Sequence, residues 1–521
     1  MGIYAKRENS FEISTIARRV EKSQNELETK VYEYEEALDI TGNGWYNRSL
    51  LFALSIGLLG MGIDIFGFSI IVTGCSCDFK LELWQKSTML SMPFIGPILM
   101  SIPWGYISDT RGRRTTLLIA LWGSFLSSFV SAFSTNWIIL AVLKVFSSSF
   151  CSAVQSGAYA LLGESCSNKV RGSYMLIMTS VLMLFLLSYV VPGYFILQLK
   201  FAYDLVFISI TPWRVLTIVM AAPLGISAFL LHFCYESPKF LVNAGQEQKA
   251  LEYLRKIWVR NGNCENDFLI RRVTLKEDSK VRDKHINFFK SLWQQTIPLF
   301  EPPLLWRTLQ LFFLTTVIYS INNSLVMWMP YIVEAFTAGV HTTADKSRSL
   351  CNIIMSISST NATISDDSVI CFSSIQTRTL LSGITHGLLF AGITFAVSKL
   401  ASMKKIMMIM FLLIPMLSSL GAIFNQNNVA SLLLYVGMMM TNLCMGVLFA
   451  YYVELYPTSY RGMAACLGVM VARLSGVAGV NFLGSFLMTD CTMTFYAFSA
   501  YLLGGIIIAA YFLPPDKTKN V

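Results

Sequence analysis

The chain has 521 residues, 54% apolar and 14% charged, with a formal net charge of +9, where soluble globular proteins carry about 25% charged residues. That balance excludes an ordinary soluble domain. Apolar runs of about 20 residues recur, the helix length that crosses roughly 30 Å of hydrocarbon, so the bilayer is the expected solvent. The period-2 alternation of a membrane barrel is absent, which leaves helices to satisfy the backbone inside lipid.

Taken in chain order, residues 1–47 mix Glu, Lys and Arg without an apolar core and read as a cytosolic segment, not a signal peptide. Spans are predicted at 48–72, 88–108, 115–135, 137–162, 173–197 and 213–233, then at 307–335, 378–399, 404–424, 428–453, 463–487 and 492–513. This divides the chain into six-helix bundles at 48–235 and 307–513, a cytosolic linker at 236–306 and a tail at 514–521. The linker carries the basic cluster Arg271, Arg272, Lys276, Lys280, Arg282, Lys284 and Lys290.

Basic residues crowd alternate loops: Arg111, Arg113 and Arg114 after span two, Lys169 and Arg171 after span four, Lys399, Lys404 and Lys405 after span eight, and Arg461 after span ten. Cytoplasmic loops collect Lys and Arg, so both termini are expected inside, and the basic excess needs no nucleic-acid partner. The loop after span seven, 336–377, then lies outside and carries the glycosylation acceptor Asn361 in Asn361-Ala362-Thr363. Cys351 and Cys371 bracket it and are candidates for a local disulfide, with Cys75, Cys77 and Cys491 as competing partners. The eleven cysteines form no Cys-x-x-Cys pairs and there is no histidine cluster, so no metal site is signalled. No catalytic constellation stands out, and no enzyme activity is expected.

The halves echo one another. Glu164 precedes Arg171-Gly172 with the same spacing as Glu454 precedes Arg461-Gly462, and Arg113-Arg114 corresponds to Lys404-Lys405. Gly105-Tyr106-Ile107-Ser108-Asp109-Thr110-Arg111-Gly112-Arg113-Arg114 resembles the loop signature G-x-x-x-D-x-x-G-R-R of the major facilitator superfamily at every specified position. That resemblance implies an all-α membrane protein with twelve transmembrane helices in two six-helix bundles. It also implies a gating network at the cytoplasmic helix ends, made of Gly105, Asp109, Gly112, Arg113, Arg114, Glu164, Arg171, Glu454 and Arg461. Gly105 and Gly112 are expected to permit close helix approach and a tight turn, and Glu164 to partner Arg171. The second-half loop keeps only its basic pair.

Further motifs resemble the synaptic vesicle glycoprotein two-like branch, close to the organic cation and anion transporters. They are Tyr34-Glu35-Glu36-Ala37-Leu38, Cys77-Asp78-Phe79-Lys80-Leu81, Trp213-Arg214, Glu236-Ser237-Pro238-Lys239-Phe240-Leu241 and Glu454-Leu455-Tyr456-Pro457. Lys239 stands where that branch has Arg, and its acidic span-one motif appears here as Met61-Gly62-Ile63-Asp64.

Ionisable groups inside spans are costly and mark function. Asp64, Lys144, Glu334 and Arg473 qualify. Lys144 suits coupling or substrate contact, or snorkels to the outer interface. Arg473 suits an anionic substrate, or neutralises Asp64. Glu334 is expected to be solvated at a helix end. Tyr319, Asn322, Asn323 and Trp328 of span seven and Asn442 of span ten are candidates to face a central cavity, or pack between helices.

The function implied is secondary active transport of a small organic solute, which could carry charge, by alternating access. A non-transporting membrane scaffold or receptor is the alternative. The partners expected are that solute and the lipid bilayer, with the chain a monomer in the plasma membrane or a vesicle membrane. No cofactor is implied, and a coupling ion such as H+ fits.

Overall fold

The computed structural model describes residues 31–205, 208–274, 296–342, 351, 375–397, 403–456, 458–487 and 489–514. Twelve helical units follow in the predicted order, with residue ranges that define the spans used below. Spans one to six are Trp45–Phe66 continued by Phe68–Cys75, Leu83–Arg111, Arg113–Ser131, Trp137–Ser165, Asn168–Met183 continued by Phe185–Leu197, and Pro212–Leu231. Spans seven to twelve are Leu305–Thr342, Thr377–Val397, Lys404–Phe424, Asn428–Met438 continued through a tight turn into Cys444–Leu455, Thr458–Phe486, and Cys491–Phe512.

Eleven helices among the described residues are long and apolar enough to cross a membrane, and span three is not one of them. It is only 19 residues long and opens with Arg113 and Arg114, and Ser124, Ser127, Ser128 and Ser131 stand among its apolar residues. Ser124, Ser128 and Ser131 are buried, so these hydroxyls face protein rather than lipid and the helix remains compatible with a bilayer.

In the first bundle, span six packs against spans one and three, and span four against spans two and three. In the second, span seven runs along span eleven and span nine packs on spans ten and twelve. The bundles meet where span two lies on span eleven and span five on span eight, pairs that interchange under a six-span parallel repeat. Cross-bundle contacts include Ser87 Oγ donating to Asn481 Oδ1 at 3.1 Å, the Tyr194 and Thr377 hydroxyls at 3.1 Å, and the Lys86 ammonium 5.7 Å from the Tyr331 ring centre. These lie at the end of the molecule opposite the Arg113 loop.

At the basic end, the segment before span one folds onto the linker. Strand β1 (Val31–Glu33) pairs in parallel with a linker strand at Arg272–Thr274. The short helix Tyr34–Thr41 and the linker helix Glu247–Arg260 enclose a small core of Tyr32, Tyr34, Ala37, Leu38, Leu254, Ile270 and Val273. The linker helix is amphipathic, burying Ala250, Leu254 and Ile257 at helical spacing. Asn261, just after it, donates to the carbonyl of Thr41 at 3.0 Å and accepts from the backbone N–H of Tyr46 at 3.2 Å, tying the linker to the start of span one.

The disulfide differs from the local pairing expected. Cys351 is bonded to Cys491, and Cys77 is also disulfide-bonded. Short sequence separation favours a Cys351–Cys371 bridge through loop entropy. The fold instead brings Cys491, at the start of span twelve, against Cys351, and both are buried. Cys371, the acceptor Asn361 and most of the linker's basic cluster lie outside the described residues.

Candidate functional site

Span one supplies Asp64 one turn before its break at Gly67. Span four brings Lys144 to it, with Nζ 2.7 Å from Asp64 Oδ1 and both side chains at most 5% exposed. The same Nζ donates to the backbone carbonyl of Asp64 and sits 5.2 Å from the Phe68 ring centre. Ser128 and Ser147 donate to Asp64 Oδ1 at 2.6 and 3.0 Å, and the hydroxyls of Ser124 and Ser147 are 3.1 Å apart. Two serines of span three, Ser128 directly and Ser124 through Ser147, therefore belong to the polar shell of this ion pair, while Ser127 and Ser131 bond to carbonyls of their own helix. Asp64 Oδ2 is buried with no hydrogen-bond partner. Lys144 does not snorkel, and Asp64 takes its countercharge from Lys144 rather than from Arg473.

Arg473 of span eleven is left otherwise. No acidic side chain pairs with it among the described residues, and its Nε is buried without an acceptor. Tyr319 of span seven and Cys151 of span four lie within its electrostatic reach. Cys151 is equally within reach of Asp64 and Lys144, so the lone cation and the neutralised pair flank one buried thiol across the bundle interface. Nearby in span seven, Asn322 and Asn323 are buried and share a weak 3.5 Å contact. That leaves Asn322 Oδ1 and Asn323 Nδ2 unpartnered. Asn442 crosses between bundles, its Nδ2 3.5 Å from Met183 Sδ. Trp328 is fixed by its indole N–H donating to the carbonyl of Val480 at 3.0 Å. It lines a narrow cleft at the disulfide end with Ser69, Thr73, Lys86 and Tyr331.

Glu334 is not solvated. It is fully buried and accepts from the backbone N–H of Gln376 and the hydroxyl of Thr379, both at 2.6 Å. The carboxylate thus sits at the N-terminus of span eight, where the helix dipole favours negative charge.

At the basic end, Arg113 bridges Asp109 and Glu164, the second at 3.4 Å, and donates to Ser108 at 3.2 Å. Burial alone would lower the Arg113 guanidinium, but Glu164 and Asp109 hold it above its ordinary value. Glu164 also accepts from Ser237 Oγ at 2.5 Å. Arg171, expected on Glu164, pairs instead with Glu35 at 2.7 Å. The family resemblance implied the first pair, but span four ends at Ser165 and a turn carries Arg171 away toward the N-terminal helix.

Gly112 is required: its φ is +102°, and a Cβ there would meet Glu236 Oε2 at 2.5 Å. Gly105 is surrounded by open space, so the close helix approach expected at it is not made in this conformation. Arg114 donates to the carbonyls of Leu231 and His232 at 3.2 and 2.8 Å, capping span six. Glu454 and Arg461 lie in helices, with side chains outside the described residues.

Sequence reasoning passed over Glu236 and the Tyr34–Asp39 segment as working parts. Glu236 caps span three, accepting from the backbone N–H groups of Arg114 and Thr115 at 2.8 and 3.2 Å. The Ser237-Pro238 step beside it, a helix-start signal, was the available hint. The other resemblance motifs also have physical roles. Asp78 accepts from the Trp213 indole at 2.6 Å, and Arg214 caps span three through the carbonyls of Ala132 and Ser134 at 2.7 and 2.8 Å.

Comparison with known proteins agrees with this architecture. The profile of the Major Facilitator Superfamily matches residues 52–480. Synaptic vesicle 2-related protein of Rattus norvegicus is 24% identical over 448 residues, covering 84% of this chain and 72% of that one. Putative transporter SVOPL of Danio rerio is 22% identical over 504 residues, covering 94% and 89%. Among solved structures, an inward-open conformation of the xylose transporter XylE from E. coli superposes with a TM-score of 0.63 at 15% identity, covering 91% of this chain and 98% of that one. A crystal structure of the D-xylose-proton symporter gives 0.58 at 14% identity, covering 92% and 100%. The chain therefore belongs to the Major Facilitator Superfamily, membrane transporters that are not enzymes and need no cofactor, and within it is similar to the synaptic vesicle 2-related proteins.

Proposed function

We propose that this chain is a secondary active transporter of a small organic anion, working by alternating access between its two bundles. One observation carries the choice of charge: Asp64 is neutralised by Lys144, whereas Arg473 is a half-buried cation whose buried Nε has no acceptor and which has no acidic partner among the described residues. A cation in that position is costly unless an anion joins it. The unpartnered amide atoms of Asn322 and Asn323 supply an acceptor and a donor to orient the rest of the solute.

Asp64 is the coupling group in this reading. Its free Oδ2 accepts a proton, which weakens the hold on Lys144 and changes how spans one and four pack. The likeness to a proton symporter in fold supports a coupling ion of this kind. The Asp109, Arg113 and Glu164 network, with Gly105, Gly112, Arg114, Arg171, Glu454 and Arg461, forms the cytoplasmic gate. It favours the outward-facing state once span eleven approaches the open space at Gly105.

Bonded cysteines at the end of Cys77, Cys351 and Cys491, and the exposed free thiol of Cys264 in the linker, support an outer face at the first end and a cytosolic face at the second. Both termini are then cytosolic and Asn361 is glycosylated. The relatives named for synaptic vesicles support a vesicle membrane as readily as the plasma membrane.

The test is uptake of labelled organic anions, organic cations and hexoses by vesicles containing the purified chain, with and without an inward proton gradient. Saturable, gradient-driven uptake confined to anions supports the reading. Uptake of cations or hexoses instead refutes the charge assignment. No uptake by folded, correctly oriented protein moves the function to a scaffold or receptor.

A further inference from the structure

The turn between spans four and five is flanked by Glu164, in the last turn of span four, and Arg171, in the first turn of span five, and three residues of the N-terminal helix grip it at three points. The Tyr34 hydroxyl donates to the carbonyl of Glu164. The Asp39 carboxylate accepts from Ser167 Oγ. Glu35 pairs with Arg171 at 2.7 Å. The helix is anchored from behind by β1 on the Arg272–Thr274 strand and by the shared apolar core. Asn43, just beyond it, accepts from the Tyr174 hydroxyl at 2.8 Å. Tyr34 is fully buried, and burial, then Glu164, pushes its phenol well above its usual range, so the hydroxyl stays a donor.

We propose that residues 34–39 are positioning residues of the cytoplasmic gate, setting the Glu164 carboxylate against Arg113 by holding the loop on either side of it. Glu164 meets Arg113 through Oε1 and Ser237 through Oε2, so its carboxylate is held at both oxygens only while the loop backbone stays in place. Releasing the grip lets the carboxylate turn away and weakens the pair with Arg113. The closed gate then loses stability, while the Arg473 site at the middle of span eleven touches none of these residues. This inference rests on the gate reading above.

The test uses the full chain in lipid vesicles with Cys264→Ser, which removes the exposed free thiol. Maleimide labelling of Cys466 on span eleven, within electrostatic reach of Asp109, then reports gate opening. Glu35→Arg and Arg171→Glu are each expected to speed labelling about threefold to fivefold and to slow net uptake by a similar factor, the scale of one partly exposed ion pair. The solute concentration for half-maximal binding is expected to stay unchanged. The double variant, which reverses the pair, is expected to return labelling most of the way to the parent. Tyr34→Phe, which removes only a hydroxyl and should fold normally, is expected to shift labelling in the same direction. A purely structural arm would lower yield and melting temperature without changing labelling of the folded fraction. Parental labelling in folded single variants overturns the proposal, as does a double variant as impaired as either single. Asp109→Asn separates the causes. If it speeds labelling while the arm variants do not, only the arm inference fails; if it too has no effect, the gate reading fails with it.

Discussion

Removing one member of the Asp64–Lys144 pair should cost far more than removing both. Lys144→Met leaves Asp64 Oδ1 with its Ser128 and Ser147 donors but without a countercharge. Asp64→Asn leaves the ammonium a neutral amide oxygen, the carbonyl of residue 64 and the face of Phe68, but no countercharge. Stranding one partner of a buried pair costs about 3–5 kcal/mol, and the two serine donors place Lys144→Met at the lower end. At about 2–4 °C per kcal/mol for a unit the size of one bundle, each single variant should melt roughly 6–20 °C below the parent. The double variant Asp64→Asn/Lys144→Met places an amide beside a thioether, with both serines still able to donate, and is expected within about 1 kcal/mol of the parent, since replacing a whole buried pair is often neutral. The assay is thermal unfolding of the four proteins in one detergent, followed by uptake driven by a proton gradient. The double variant should be stable but uncoupled, exchanging solute without responding to the gradient. Additive losses in the double variant would show that the residues do not act as a pair, and gradient-driven uptake by it would remove Asp64 from the coupling role.

The same geometry sets three smaller outcomes. Gly112→Ala should lower stability by about 1–2 kcal/mol from its left-handed backbone alone, and by more from the Glu236 contact. Gly105→Ala, inside a helix with open space around it, should hold or slightly raise the melting temperature, so equal losses in thermal unfolding would contradict the placement of these glycines. Glu334→Gln keeps both hydrogen bonds and loses the charge at the start of span eight. The carboxylate is fully buried with Oε2 unpartnered, so desolvation outweighs the helix dipole and the variant is expected to be as stable as the parent or slightly more so; a loss of more than about 1 kcal/mol in thermal unfolding would show that the charge at the helix start is stabilising. Cys351→Ser should free Cys491 for alkylation in denatured, unreduced protein while leaving Cys77 blocked. A Cys491 that already reacts in the parent would refute the bridge.

Much of the fold was legible because its causes are local. Apolar runs marked the spans, and alternating basic loops separated one end from the other. Span three shows what composition hides: Ser128 donates to Asp64 and Ser124 meets Ser147 beside it, a role that nothing in the local sequence marks. The site was legible as a list of residue types and illegible as partnerships. Asp64, Lys144 and Arg473 were each visible as charges in apolar surroundings, but only helix packing decides that Lys144 on span four, and not Arg473 on span eleven, reaches Asp64. Arg171 was assigned to Glu164 by the family resemblance, and the turn after Ser165 gave it to Glu35. Cys351 was drawn to a near neighbour, and the packing of spans seven, eleven and twelve gave it to Cys491. Each of these turns on a contact between residues far apart in the chain, which periodicity does not encode.

The central claim is that an unpaired cation in the bundle interface selects an organic anion. The most direct measurement compares uptake of a monocarboxylate with that of its neutral amide, by the parent chain and by Arg473→Lys and Arg473→Gln. The account predicts that the parent takes up the acid and not the amide, that Lys retains part of that uptake, and that Gln loses it by about 10-fold or more while remaining folded, the scale of one buried charge-assisted hydrogen bond. Equal uptake of acid and amide by the parent, or undiminished acid uptake by Arg473→Gln, would contradict it.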